Sequence, residues 1–221
     1  MKILIVAATK FEINPLLNHA EITAFAENSR VIKCRYKTIE MDCLITGVGM
    51  VATSFYTAKV LNKTYDLAIN MGICGTFNNN LPIGSVVNVY EDQLAEMGAE
   101  DGLKFLTMED LKLEAITKIT NENSLQAYPL LDLLPKVNGI TVNKVHGNEK
   151  NIAKIVDRFH PIVESMEGAA FMFACEQDHI PYIQVRAVSN LVEKRNKDRW
   201  NIPLAIENLN KSIVAFLEEF N

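Results

Sequence analysis

Short apolar runs recur along this chain, and segments of helical spacing separate them. Lys2 to Ala8, Asp66 to Met71, Gly139 to Val145 and Tyr182 to Val188 read as buried strands. Arg30 to Tyr36 and Glu40 to Thr46 alternate as strands of a hairpin around Lys37-Thr38, and Leu81 to Val89 opens with a turn and becomes a strand. Helices are predicted from Glu12 to Asn18, despite Pro15 near the first turn, and over Ala52 to Leu61, Glu109 to Thr120 and Glu149 to Arg158. In the last of these, Ile152, Ile155, Val156 and Phe159 share one side. Pro203 to Phe220 is amphipathic, with Ile206, Leu209, Ile213, Phe216, Leu217 and Phe220 toward the core. Gln93 to Gly102 and Lys194 to Trp200 read as loops, and Pro129 to Lys136 as an apolar stretch broken by prolines. This alternation implies an α/β chain with a mixed sheet covered by helices.

The 221 residues, 48% of them hydrophobic, suffice for one good-sized core, so a single domain over 1–221 is expected. A net charge of −5 and the absence of a basic run argue against nucleic acid as a partner and suit a soluble cytoplasmic protein. The apolar N-terminal stretch is short and meets Thr9, Lys10 and Glu12 at once, so it reads as a core strand and not a signal peptide. No run approaches membrane-spanning length. Cys34, Cys43, Cys74 and Cys175 are scattered, as buried free thiols of a reducing compartment would be, and the four histidines form no helical pair. Neither a metal nor any other cofactor is expected.

Val163 to Cys175 carries Glu164 and Glu167 ahead of an uncharged run from Gly168 to Cys175, a buried helix with a carboxylate at its head. Such a carboxylate needs a partner. The helix N-terminus would serve, and so would a pair of ligand hydroxyls. In sheets of this class, sites lie beyond the carboxyl ends of strands. That rule collects Glu12, Gly47 and Gly49, a second predicted glycine turn from Gly72 to Gly75, Val145 and His146, and Ser189 and Asn190. Gly47 and Gly49 lack the third glycine of a dinucleotide fingerprint, and no Gly-Lys-Ser/Thr follows them. The collected set holds carboxylates, an amide and one thiol, Cys74, and is poor in cations. Phosphoryl transfer is therefore disfavoured. Paired carboxylates suit hydrolysis through an oxocarbenium-like transition state, although spacing alone does not establish it.

The segments Ala7-Ala-Thr-Lys-Phe-Glu12, Asn70-Met-Gly-Ile-Cys-Gly75, Leu81-Pro-Ile-Gly84, Ser165-Met-Glu-Gly168 and Val185-Arg-Ala-Val-Ser-Asn190 occur in the order seen in the nucleoside phosphorylase and nucleosidase superfamily. The resemblance spans nearly the whole chain. Within that superfamily, Gly98 to Gly102 and Ser189 to Pro203 resemble the signatures of futalosine hydrolases. The resemblance implies a three-layer sandwich with a mixed, partly closed central sheet flanked by helices. It also implies hydrolysis of the N-ribosyl bond of futalosine, releasing hypoxanthine, in menaquinone biosynthesis. The partners it implies are a nucleoside and water, and the assembly a homo-oligomer, dimer or higher.

Roles follow by resemblance, position by position. Glu12 matches the carboxylate that activates water, Glu167 the one that binds the ribose hydroxyls, and Met166 the methionine packed against the sugar. Asn190 stands where methylthioadenosine and adenosylhomocysteine nucleosidases carry Asp, at purine N7, with Ser189 supporting it. Gly72 and Ile73 match the pocket wall, and Val145 and His146 fall where relatives line the base pocket. An arginine of the loop, Arg195 or Arg199, would meet the aryl carboxylate of futalosine. Plainer readings stand beside these. Glu12 also reads as a first-turn helix carboxylate, Asn190 as a turn cap, His146 as structural, and the loop arginines as solvated. Two departures matter. The phosphate-binding arginines of phosphorylases are absent from Gly47 to Ala52 and from Gly72 to Phe77, which favours water as nucleophile. Asn190, a neutral amide, cannot give N7 a proton and is compatible with either a 6-oxo or a 6-amino purine. Glu164 has no assigned role.

Overall fold

The computed structural model describes residues 1–25, 30–121 and 129–220. In chain order its elements are β1 (Lys2–Ala7), α1 (Lys10–Leu17), β2 (Glu21–Phe25), β3 (Val31–Tyr36), β4 (Ile39–Ile45), α2 (Met50–Val60), β5 (Leu67–Thr76) and β6 (Val86–Leu94). There follow β7 (Gly98–Asp101), β8 (Lys104–Thr107), β9 (Lys118–Thr120), α3 (Pro129–Leu133), β10 (Lys136–Thr141) and α4 (Glu149–Phe159). The chain ends with β11 (Val163–Ser165), α5 (Gly168–Asp178), β12 (Tyr182–Leu191), a 3-10 turn (Lys197–Arg199) and α6 (Ile202–Glu218).

The main sheet runs β11-β10-β6-β12-β5-β1-β4-β3-β2, with β9 beside β6. Because β11 also pairs antiparallel with β5, the five strands from β5 to β11 curl into a closed ring while β1 to β4 continue as an open sheet. The sheet is therefore mixed and partly closed. Its central strands β1 and β5 are buried on both faces because both faces are covered. Along β1, Ile3, Ile5 and Ala7 join a core with Ile13 and Leu16 of α1 and with Leu209, Ile213, Phe216 and Leu217 of α6. Leu4 and Val6 point the other way, into a second core with Phe171, Met172 and Cys175 of α5. The expected apolar side of α6 is thus seated, with Ile206 half-buried, and all four cysteines are buried and free.

Five expectations fail. Gly72 to Gly75 is not a turn, since β5 continues through it to Thr76. Its glycines serve close approach and not chain reversal. Likewise β12 continues through Ser189 and Asn190. Gln93 to Gly102 is not a loop, because β7 and β8 form a hairpin around Gly102, whose φ of 62° suits glycine. Glu109 to Thr120 is not a helix. Asp110 accepts hydrogen bonds of 2.8 Å from the backbone and hydroxyl of Thr107, which holds a turn, and Lys118–Thr120 pairs with β6. Leu113 and Ile116 stay exposed, so no apolar face was available to drive a helix. Pro129, which resembles a breaker in sequence, starts α3.

β1, β4, β5 and β12 run parallel, so their carboxyl ends share one edge. The α1 start, the Gly47–Gly49 turn and Ser189-Asn190 meet there.

Candidate active site

Glu12 is the third residue of α1 and is buried. Its Oε2 accepts hydrogen bonds from the Thr9 backbone (2.8 Å) and hydroxyl (2.9 Å), which caps the helix. Its Oε1 turns the other way and accepts the Ile73 N–H at 3.2 Å. The plain and the functional readings of Glu12 are therefore compatible, with one oxygen closing the helix and the other facing the cavity. Burial raises its pKa above the usual carboxylate value, opposed by the charge of Arg186 and by the Thr9 and Ile73 hydrogen bonds. Asn210 of α6 sets the backbone here. Its amide donates to the Glu12 carbonyl at 2.8 Å and accepts the Leu16 N–H at 2.9 Å, bridging the rung that a regular helix would close directly.

Glu167 is the N-cap residue of α5 and is also buried. Its Oε1 accepts the Gly49 N–H at 3.0 Å, and its Oε2 lies 3.8 Å from Arg186 Nη1. Gly49 has φ 100° and ψ 156°, which only glycine adopts without strain, so this turn exists to aim an N–H at the carboxylate.

Arg186 corrects the expectation of a site poor in cations. It is 1% exposed, on β12. Its Nε donates to Gln184 Oε1 at 3.0 Å, its Nη2 to Asn70 Oδ1, and Nη1 faces Glu167. Gln184 in turn donates to Asp92 Oδ2 at 3.0 Å, and Thr141 donates to Oδ1 at 3.0 Å. Burial pushes Asp92 up to about 6. A Cβ on Gly72 would overlap Arg186 Nη1 and lie 2.9 Å from Glu12 Oε1, so guanidinium and carboxylate converge over this glycine. The available signal in the sequence was a polar alternation, Gln184 and Arg186, inside an otherwise apolar strand. A second arginine, Arg30, also approaches the glycine turn, but it donates to the Ile45 and Thr46 carbonyls and stacks on Tyr56.

The cavity above these groups measures about 370 Å³. Glu12, Ile73, Val145, His146, Met166, Glu167, Ser189, Asn190 and Arg195 all line it. Gly72 lies beneath it, under Arg186 and Glu12. Arg199 does not reach it. The side chain is exposed and pairs with Glu193 at 3.1 Å. Trp200, Ile202 and Ile206 line the cavity too, with Arg195 stacked 4.7 Å from the Trp200 ring centroid. Exposed Phe11 and Val48 also belong to the lining.

Asn190 holds its amide by accepting the Ser189 hydroxyl at 2.8 Å and donating one N–H to the Leu191 carbonyl at 2.8 Å, which leaves a second N–H for a ligand. Burial raises the Cys74 thiol to about 12, so it remains protonated and is no nucleophile. Glu164, unassigned from sequence, accepts the backbone N–H of His146 at 2.9 Å and lies 2.6 Å from its Nδ1.

Two buried carboxylates, a guanidinium between them and an amide across the cavity suit stabilisation of a cationic sugar and attack by water. The comparisons with known proteins agree with that chemistry. The family model described as the phosphorylase superfamily matches residues 2–129. The futalosine hydrolase of Streptomyces coelicolor is 30% identical over 186 residues, covering 78% of this chain and 76% of its own. The 5'-methylthioadenosine/S-adenosylhomocysteine nucleosidase of Glaesserella parasuis is 27% identical, with 100% of both chains covered. The structure of futalosine hydrolase from Helicobacter pylori superposes with a TM-score of 0.84 at 17% identity, over 99% of this chain and 98% of that one, and so shares its fold. No helix among the described residues is long and apolar enough to cross a membrane. The chain belongs to the phosphorylase superfamily, and within it is an N-glycosyl hydrolase.

Proposed function

We propose that this chain, as one nucleosidase domain, hydrolyses the N-ribosyl bond of futalosine and releases hypoxanthine, serving menaquinone biosynthesis in the cytoplasm as a homo-oligomer. One observation carries the substrate assignment. The cavity that holds the two carboxylates also holds an amide, Asn190, and extends to Arg195 and Trp200. An aryl carboxylate tail fits an aromatic face beside a guanidinium.

In this reading Glu167 accepts the ribose hydroxyls and Met166 packs against the sugar. The C1′–N9 bond breaks with its electron pair leaving on the purine, and positive charge develops on the ribose. Water adds its oxygen to C1′ and gives its proton to Glu12. The raised pKa of Glu12 makes it a better base than an exposed carboxylate. Asn190 donates its free N–H to N7 of the departing base, which then takes its proton from solvent. Arg186 has its Nε and Nη2 engaged by Gln184 and Asn70 and stands beside Glu167, an arrangement that supports water and not phosphate as nucleophile.

The full-length likeness to the Glaesserella parasuis nucleosidase favours a second reading, hydrolysis of 5'-methylthioadenosine. Incubation with futalosine, inosine and 5'-methylthioadenosine, with and without phosphate, followed by chromatography of free base, separates the two. Phosphate-independent release of hypoxanthine from futalosine at the highest kcat/KM is expected. Preference for 5'-methylthioadenosine refutes the futalosine assignment, and strict dependence on phosphate refutes hydrolysis.

A further inference from the structure

Glu164 is 3% exposed, and the reaction outlined above makes no use of it. Both of its oxygens are committed to one residue. Oε1 accepts the His146 backbone N–H at 2.9 Å, and Oε2 lies 2.6 Å from His146 Nδ1. The tautomer that carries its proton on Nδ1 fits this contact, with the carboxylate oxygen accepting, and in that tautomer Nε2 presents a lone pair. The Phe77 ring, 6.5 Å from the imidazole between centroids, flanks it.

The register of three strands places this pair relative to Asn190. Gly75 of β5 is the partner of Glu164 on β11 and also of Asn190 on β12. The β12 register shifts between Val188 and Asn190, and Glu164 and Asn190 both line the cavity on either side of Gly75. Their strands are two spacings apart, about 10 Å. Gly75 has no side chain to fill the gap, and a Cβ there would lie 3.2 Å from Asn190 Nδ2. A planar bicyclic base spans such a gap, with one polar edge toward the amide and another toward the imidazole.

We propose that the Glu164–His146 pair selects a 6-oxopurine. Glu164 fixes the tautomer, and His146 Nε2 accepts the N1–H that hypoxanthine carries and adenine lacks. The proposal rests on the cavity being a purine-nucleoside site. His146 is the specificity-determining contact and Glu164 a positioning residue. Adenine would set its N1 lone pair against that of Nε2.

The test is equilibrium binding of the free bases hypoxanthine and adenine to the whole protein by titration calorimetry, which needs no turnover. The wild-type protein is expected to bind hypoxanthine at least about tenfold more tightly than adenine, the worth of one buried hydrogen bond. His146→Phe keeps a ring against Phe77 and should reduce the ratio to near unity. Glu164→Gln should reduce it as well, and the imidazole nitrogen chemical shifts should show loss of the fixed Nδ1–H tautomer. Equal affinity of the wild-type protein for the two bases overturns the proposal, and that result needs no variant to fold. An unchanged ratio in folded His146→Phe also overturns it. Failure of futalosine hydrolysis is a separate result, read from base release, and leaves the binding ratio to be judged independently.

Discussion

Gly72→Ala is the smallest change that probes the centre of the site. The added methyl would overlap Arg186 Nη1 and lie 2.9 Å from Glu12 Oε1 and 3.5 Å from Arg186 Cζ. Neither neighbour has slack. The guanidinium is tied to Gln184 and Asn70, and the carboxylate is tied to Thr9 and Ile73. Overpacking of this kind costs about 1–3 kcal/mol, and loosening the buried Arg186–Glu167 pair brings the total toward about 3–5 kcal/mol. If Glu12 is displaced by about 1 Å, kcat/KM should fall about 100-fold. Gly147→Ala is the control, because its Cβ would meet only the Glu193 carbonyl oxygen, at 3.7 Å, and the Arg195 nitrogen, at 3.9 Å. Base release and thermal melting of the two variants, side by side with the parent, decide the matter. A Gly72→Ala protein with an unchanged melting temperature and kcat/KM within about threefold of the parent would refute the convergence of charges over Gly72.

Glu12→Gln should lower kcat by about 10²–10⁴-fold while leaving the affinity for hypoxanthine intact, as measured by base release and calorimetry. In the parent enzyme the acid limb of kcat/KM should fall as Glu12 takes up a proton, and its midpoint should lie above 4.5, the ordinary carboxylate value. Burial pushes Asp92 from 3.8, the ordinary aspartate value, up to about 6, so the folded state holds this proton more tightly. Its contribution is complete below the unfolded pKa and is lost as pH rises through about 6. Urea unfolding should therefore show a loss of up to about 3 kcal/mol from this group between pH 4 and 7, and Asp92→Asn should flatten that part of the profile. Asn210→Leu orphans the Glu12 carbonyl and the Leu16 N–H, so denaturation should report a loss of about 2–5 kcal/mol.

Legibility in the sequence follows the range of the interaction. Strands β1, β3 to β6, β10 and β12 and the helices α1, α2 and α4 to α6 were readable because burial writes a pattern into adjacent residues, and Gly168 to Cys175 needs no partner to declare itself buried. Glu109 to Thr120 misled because spaced leucines and isoleucines signal a helix only when a core receives them, and here Leu113 and Ile116 remain in solvent. The lining of the cavity was legible where a polar residue stands near a strand end, as with Glu12, Glu167 and Asn190. It was illegible where chemistry depends on what lies across the sheet. Arg186 in an apolar strand is a cost until Gln184, Asn70 and Glu167 meet it, and Asp92 is a cost until Thr141 and Gln184 do. Gly72 and Gly75 resemble turn residues for the same reason. The groups that need their missing side-chain volume, Arg186 and Glu12 for one and Asn190 and Val192 for the other, come from other parts of the chain. A polar residue or glycine that breaks an apolar strand is therefore better read as one side of a cross-strand contact than as the end of the strand, and in this chain that rule would have found Arg186 before the fold did.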